Sequence, residues 1–105
     1  MPETVPLCRV DDLESGQAKR FDGPGYRIAL VRIGDDFHAV DDRCSHENYS
    51  LAEGEVWVDE CEIECWRHGS TFSLVTGKPC SLPATQPVSV YQVRVQDGTV
   101  TVVLP

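Results

Sequence analysis

The sequence predicts an all-β domain, and three observations predict it. Two stretches alternate apolar and polar residues around a short turn, helix signals are scarce, and Gly, Pro and Asp punctuate the chain at short intervals. At 105 residues the chain has the length of a single domain, 1–105. A chain of this size buries about 60–70% of the surface its unfolded form exposes, which is enough to fold without covalent staples.

In chain order, "VDDLESGQ" (10–17) predicts one short helical turn, with Asp11 as its cap and Gly16 as its stop. "YRIALVRI" (26–33) is rich in apolar and β-branched residues; Gly34-Asp35-Asp36 interrupts it and "FHAV" (37–40) resumes, which predicts a hairpin. "VSVYQVRV" (88–95), Asp97-Gly98 and "TVTVVL" (99–104) predict a second one. There Tyr91, Val93 and Val95 alternate with polar residues, as do Val100, Val102 and Leu104. Val88 and Val90 are out of phase with Tyr91 and Val93, which predicts a bulge near Ser89–Val90.

Between the hairpins, residues 43–87 are rich in Cys, Gly, Pro and Ser, with room for brief strands at 55–58, 61–64 and 71–74. A loop-rich insert this long is uncommon in a compact domain unless it is functional or held by a ligand. The expected division is a base, 1–42 and 88–105, carrying an inserted subdomain, 43–87.

Seventeen acids against nine bases leave a net charge of −8, which disfavours nucleic acid, whose binding depends on neutralising phosphates. No 18-residue apolar run exists, so no membrane-spanning helix is expected. The start "MPETVPLCRVDD" lacks the basic and apolar regions of a secretion signal, so a cytoplasmic location is expected. In a reducing compartment five cysteines point to metal chemistry before disulfides. Six acids (Glu53, Glu55, Asp59, Glu60, Glu62, Glu64) fall in the insert with no base among them and read as solvated outer positions of strands and turns.

The chemistry concentrates in "CSHENYS" (44–50) and "CWRHGST" (65–71). Cys44-x-His46 and Cys65-x-x-His68 supply two sulfurs and two nitrogens, with eighteen residues between His46 and Cys65. Zinc modules usually pair like ligands on one turn, whereas here unlike ligands are paired. A dinuclear centre accounts for the mixing if one metal takes both cysteines and the other both histidines, since thiolate and imidazole both suit iron. A structural zinc module holding the same four side chains stays open as the competing reading. A Cys65–His68 nucleophile and base would leave the first fragment without a purpose, and His46-Glu47 lacks the wider signature of a zinc deaminase.

These fragments resemble the Rieske 2Fe–2S motif. "TGKPCSLP" (76–83) resembles the stretch leading into that family's proline loop, and the flanking strands fit its antiparallel β-sandwich base. The resemblance implies a Rieske-like fold with a loop-rich cluster-binding subdomain. It also implies one 2Fe–2S cluster held by Cys44 and Cys65 on the buried iron and by His46 and His68 on the outer one. Pro83 is then expected at the tip of the third loop, Ser70 as a hydrogen-bond donor to the cluster sulfur, and Trp66 and Tyr49 as shields.

Two departures place the chain on the soluble, low-potential side of the family. Tyr49 and Arg67 stand where high-potential members carry an extra disulfide, and Phe72 stands where they carry a tyrosine. A potential of about −150 to 0 mV, low in the family's range, is expected. Cys61 reads as a small inward-facing strand residue, Cys8 and Cys80 as structural thiols, His38 as an ordinary strand residue and Trp57 as a packing residue. The resemblance implies a monomeric electron carrier, not a catalyst. Its partners would be a flavin-containing NAD(P)H-dependent reductase and a non-haem iron terminal oxygenase. A role in iron–sulfur assembly or redox sensing is the alternative.

Overall fold

The computed structural model describes residues 3–42, 50–66, 69–80 and 87–104. Among them run nine strands: β1 (Glu3–Arg9), β2 (Ala18–Gly23), β3 (Tyr26–Ile33), β4 (Asp36–Asp41), β5 (Val56–Trp57), β6 (Glu62–Glu64), β7 (Thr71–Ser73), β8 (Val90–Gln96) and β9 (Thr99–Leu104). Short 3-10 turns occupy Val10–Asp12 and Leu51–Glu53. The strands make a six-stranded antiparallel sheet in the order β1-β9-β8-β4-β3-β2 and a three-stranded one in the order β5-β6-β7.

Both expected hairpins form. β3 and β4 pair from Ile28↔Asp41 to Ile33↔Asp36, and β8 and β9 pair from Gln92↔Val103 to Gln96↔Thr99. In the second turn Asp97 and Gly98 both adopt positive φ, 51° and 75°, as a two-residue turn of the type that matches strand twist requires. The apolar run inside β3 has no polar face because both of its faces are covered. Ile28 and Leu30 enter one core with Leu13, Ala39, Val100 and Val102. Ala29 and Val31 enter another with Val40, Leu51, Ile63, Cys65 and Phe72. Since side chains of β3 and β9 meet in the first core, the large sheet folds over on itself into a sandwich-like base.

Three local readings are corrected. No bulge lies near Ser89–Val90: the ladder runs straight through Ala39↔Tyr91 and Val40↔Val90, and the Asp41 N–H donates to Ser89 O at 2.8 Å. Val88, ahead of the strand, instead enters one core, Tyr91 and Val93 enter the other, and Val90 is exposed. The register shift occurs in β1, between Pro6 and Cys8. The first 3-10 turn is closed by Asp12, not Asp11, whose neighbour's Oδ2 accepts from the Arg9 N–H at 2.9 Å. Cys61 precedes β6 in a turn, at φ 55°, instead of standing within a strand.

β1 and β2 carried no expectation, and they are the two edges of the large sheet. Pro6 speaks against a strand because it lacks an N–H, a loss tolerable at an edge. β2 reads AKRFDG, with its charged side chains exposed, and edge strands commonly carry such charges to block further pairing.

Candidate metal centre

Three segments border the second core, and the residues flanking each are held differently. Cys65–Ser70 caps the β6–β7 hairpin just beyond the Glu64↔Thr71 pair. The Cys65 N–H donates to Ser70 O at 2.7 Å, and the Gly69 N–H donates back to Cys65 O at 3.0 Å. Gly69 has φ 74°, a left-handed value that glycine reaches without a Cβ penalty, so "CWRHGS" can reverse within six residues. Cys65 and Ser70 are both fully buried, whereas Trp66 is 48% exposed.

The segment 43–49 is bracketed by Asp42 and Ser50. Asp42 lies just past β4 and is fully buried. Its N–H donates to Arg27 O at 2.9 Å, and its carbonyl accepts from the Leu51 N–H at 2.6 Å. Its carboxylate accepts from Ser50 Oγ at 2.7 and 2.9 Å, from the Ala52 N–H at 2.8 Å and from Arg27 Nε at 3.1 Å, with Arg20 Nε at 3.6 Å. A buried carboxylate is costly unless paired and hydrogen-bonded, and this one is both.

Residues 81–86 lie outside the described residues, and the segments on either side of them also meet. The Cys80 N–H donates to Thr71 O at 2.7 Å, the Gly77 N–H to Ser73 O at 2.8 Å, and the Val88 N–H to Gly77 O at 2.8 Å. A Cβ on Gly77, whose φ is 77°, would overlap the Val88 carbonyl. Leu51 after the first loop, Cys65 within the second and Val88 after the third belong to one buried cluster with Ile63, Phe72 and Leu74. The three stems therefore share one apolar floor.

Of the residues expected in the site, Cys65, Ser70 and Trp66 are placed by the structure. Cys44, His46, His68 and Pro83, together with Tyr49 and Arg67, lie outside the described residues. The chemistry that is visible fits an iron–sulfur cluster: a soft sulfur donor in a dry, apolar floor, with a buried hydroxyl five residues away in the same turn. Phe72 is fully buried against Ile63 and supplies no hydroxyl there. Asp42 and its partners are absent from the sequence-level candidates; a carboxylate two residues ahead of Cys44 was the available signal, and its partners are distant in sequence.

The other cysteines stand apart. Cys61 Sγ lies 3.7 Å from His38 Nε2 on β4, and burial, then the charges of Asp36 and Glu62, push its thiol up from the ordinary value. Burial, then Asp12, does the same to Cys8, and burial, then Glu62, to Cys80. Raised thiols make poor nucleophiles and ligands near neutrality. Among the described residues no cysteine forms a disulfide. Glu53, Glu55, Asp59 and Glu60 are exposed, as expected of solvated positions, while Glu62 and Glu64 are half-buried. Trp57, expected to pack, is 41% exposed.

Comparison with known proteins fits this arrangement. Residues 3–92 match the family described as Rieske [2Fe-2S] domain. The 3-phenylpropionate/cinnamic acid dioxygenase ferredoxin subunit of Shigella flexneri serotype 5b (strain 8401) is 44% identical over 101 residues, covering 96% of this chain and 93% of that protein. The ferredoxin of carbazole 1,9a-dioxygenase from Nocardioides aromaticivorans IC177 superposes with a TM-score of 0.92 at 34% identity, over 97% of each chain. A ferredoxin in a complex of reduced oxygenase and oxidized ferredoxin of carbazole 1,9a-dioxygenase gives 0.88 at 38% identity, over 94% of this chain and 91% of that one.

Proposed function

This chain belongs to the Rieske [2Fe-2S] domain family, and from that membership we propose that it is the ferredoxin component of a dioxygenase system. In this reading it carries single electrons from an NAD(P)H-dependent flavin reductase to a non-haem iron terminal oxygenase and catalyses nothing itself. The observation that carries the reading is a fully buried Cys65 at the head of a glycine-closed hairpin, in a chain whose relatives are dioxygenase ferredoxin subunits.

Cys44 and Cys65 as thiolates, with His46 and His68 as neutral imidazoles, hold the cluster, which when bound supplies a one-electron couple. The residues' own work is positional. Cys65 is kept from water by Leu51, Ile63 and Phe72, and a drier, lower-dielectric floor is one lever on potential. Ser70 offers a buried hydroxyl in the same turn and Trp66 presents an indole at the surface, and in this reading Pro83 would cover the cluster. Residues 43–87 act as the cluster-binding part and 1–42 with 88–105 as its base, the whole working as a cytoplasmic monomer. Among the described residues no helix is long and apolar enough to cross a membrane.

Purification without oxygen, followed by iron and sulfide analysis and EPR of the dithionite-reduced protein, tests the cofactor. Two irons and two acid-labile sulfides per chain are expected; one zinc and no sulfide would overturn the reading. Reconstitution with a flavin reductase and a terminal oxygenase tests the role, and NADH oxidation coupled to substrate hydroxylation should then depend on this protein. Coupled turnover that proceeds equally well without it would remove the carrier role.

A further inference from the structure

Stability alone does not call for a carboxylate at Asp42. A buried ion pair is often replaceable by well-packed apolar residues without loss of stability. Asp42 lies beyond the end of β4 and belongs to neither apolar cluster. What a carboxylate does there, and an apolar side chain cannot, is tie the chain that leads into residues 43–49 both to the chain that follows them and to the adjacent strand β3. From the neighbouring strand β3 Arg27 Nε donates to Oδ2 at 3.1 Å; on the returning side Ser50 Oγ reaches both carboxylate oxygens at 2.7 and 2.9 Å and the Ala52 N–H reaches Oδ1 at 2.8 Å. The backbone of the same residue closes the ring, its carbonyl taking the Leu51 N–H at 2.6 Å. The segment so closed is the one that carries Cys44 and His46. Cys44 follows Asp42 by two residues, within about 7 Å along the chain. Leu51 in turn shares the buried cluster of Cys65.

We propose that Asp42, braced by Arg27 and closed by Ser50, is a positioning residue for the metal centre. It sets the span of the first ligand loop and ties that loop's returning limb to the floor that holds Cys65. This rests on the cluster reading given above. Asp42 touches no reacting atom; it acts through Cys44 and His46, as groups behind metal ligands do when they fix ligand orientation.

The clasp makes cluster retention depend on this contact beyond its share of general stability. The anaerobically purified protein, its Ser50→Ala and Asp42→Asn variants and a control, Leu13→Ala, separate the two. Ser50→Ala deletes one donor with little change in volume. Asp42→Asn keeps an acceptor for Ser50 and Ala52 and loses the ionic partner of Arg27. Leu13 is 3% exposed in the other core, apart from the clasp, so its truncation lowers stability elsewhere. For each protein the melting temperature and the rate at which an iron chelator bleaches the visible absorption are measured.

Ser50→Ala and Asp42→Asn should lose the cluster about tenfold faster than the parent. Leu13→Ala, with at least as large a fall in melting temperature, should stay within about twofold of the parent. Bleaching rates that simply follow melting temperature across the three variants would overturn the proposal, as would parental rates in both clasp variants. Iron and sulfide content of the parent is measured first. A parent without them overturns the reading of function, and the clasp with it, whereas a loaded parent with indifferent clasp variants overturns the clasp alone.

Discussion

A hydroxyl that donates to a cluster sulfide strengthens its bond as the sulfide gains charge, so it favours the reduced state and raises the potential. Ser70 is fully buried, and its carbonyl closes the Cys65 turn at 2.7 Å, which fixes its backbone relative to Cys65. One such bond contributes about 1 kcal/mol. At about 59 mV per tenfold for a single electron, that is about 40–50 mV. Ser70→Ala should lower the midpoint potential by this amount in protein-film voltammetry, and an unchanged midpoint would show that the hydroxyl does not act on the cluster. The turn that buries Ser70 was legible because it lies inside a local motif. Asp42 was not, since its partners Arg27 and Ser50 are fifteen and eight residues away and no spacing rule joins them. Cys61 misleads for a different reason: it occupies a left-handed position that Gly, Asn or Asp would ordinarily announce.

At the level of elements, the hairpins were legible because their turn residues and alternation agree, and the edges were not because edge strands break the usual composition rules. The stem of the third loop falls between these cases. "TGKP" announces a turn, but its contact with Val88 is visible only in three dimensions. Gly77 has φ 77°, and the Val88 carbonyl occupies the space a side chain would need. Gly77→Ala therefore combines backbone strain with overlap against main chain, about 2–4 kcal/mol in all. Gly25, with φ 79° and no atom within 4 Å of where a Cβ would stand, supplies the comparison, since Gly25→Ala meets the strain alone. In thermal melts of the loaded protein Gly77→Ala should cost clearly more than Gly25→Ala, by roughly 5–15 °C. Equal losses would mean that the Val88 backbone yields and that the Gly77–Val88 contact is not rigid.

The molecule as a whole is built on two cores that share β3, and they differ in what completes them. One is lined by the large sheet and Leu13; the other contains Cys65 and the stems of all three loops. The opposed phases of Val88 and Tyr91/Val93 record this doubling in the sequence. They mimic a bulge because Val88 enters its core just ahead of β8, whereas within the strand Tyr91 and Val93 face the other core and Val90 faces solvent. If the cluster completes the second core, its binding energy is partly folding energy for that half. Removing the metal by chelation under reducing conditions should then loosen β5–β7 selectively. Amide exchange at Ile63 and Phe72 should accelerate about a hundredfold, while Val100 and Val102 in β9 keep most of their protection. Equal acceleration in both regions would make the two cores one cooperative unit stabilised by the cluster as a whole. Unchanged exchange everywhere would make the floor under Cys65 self-supporting, and the metal centre a passenger on a fold complete without it.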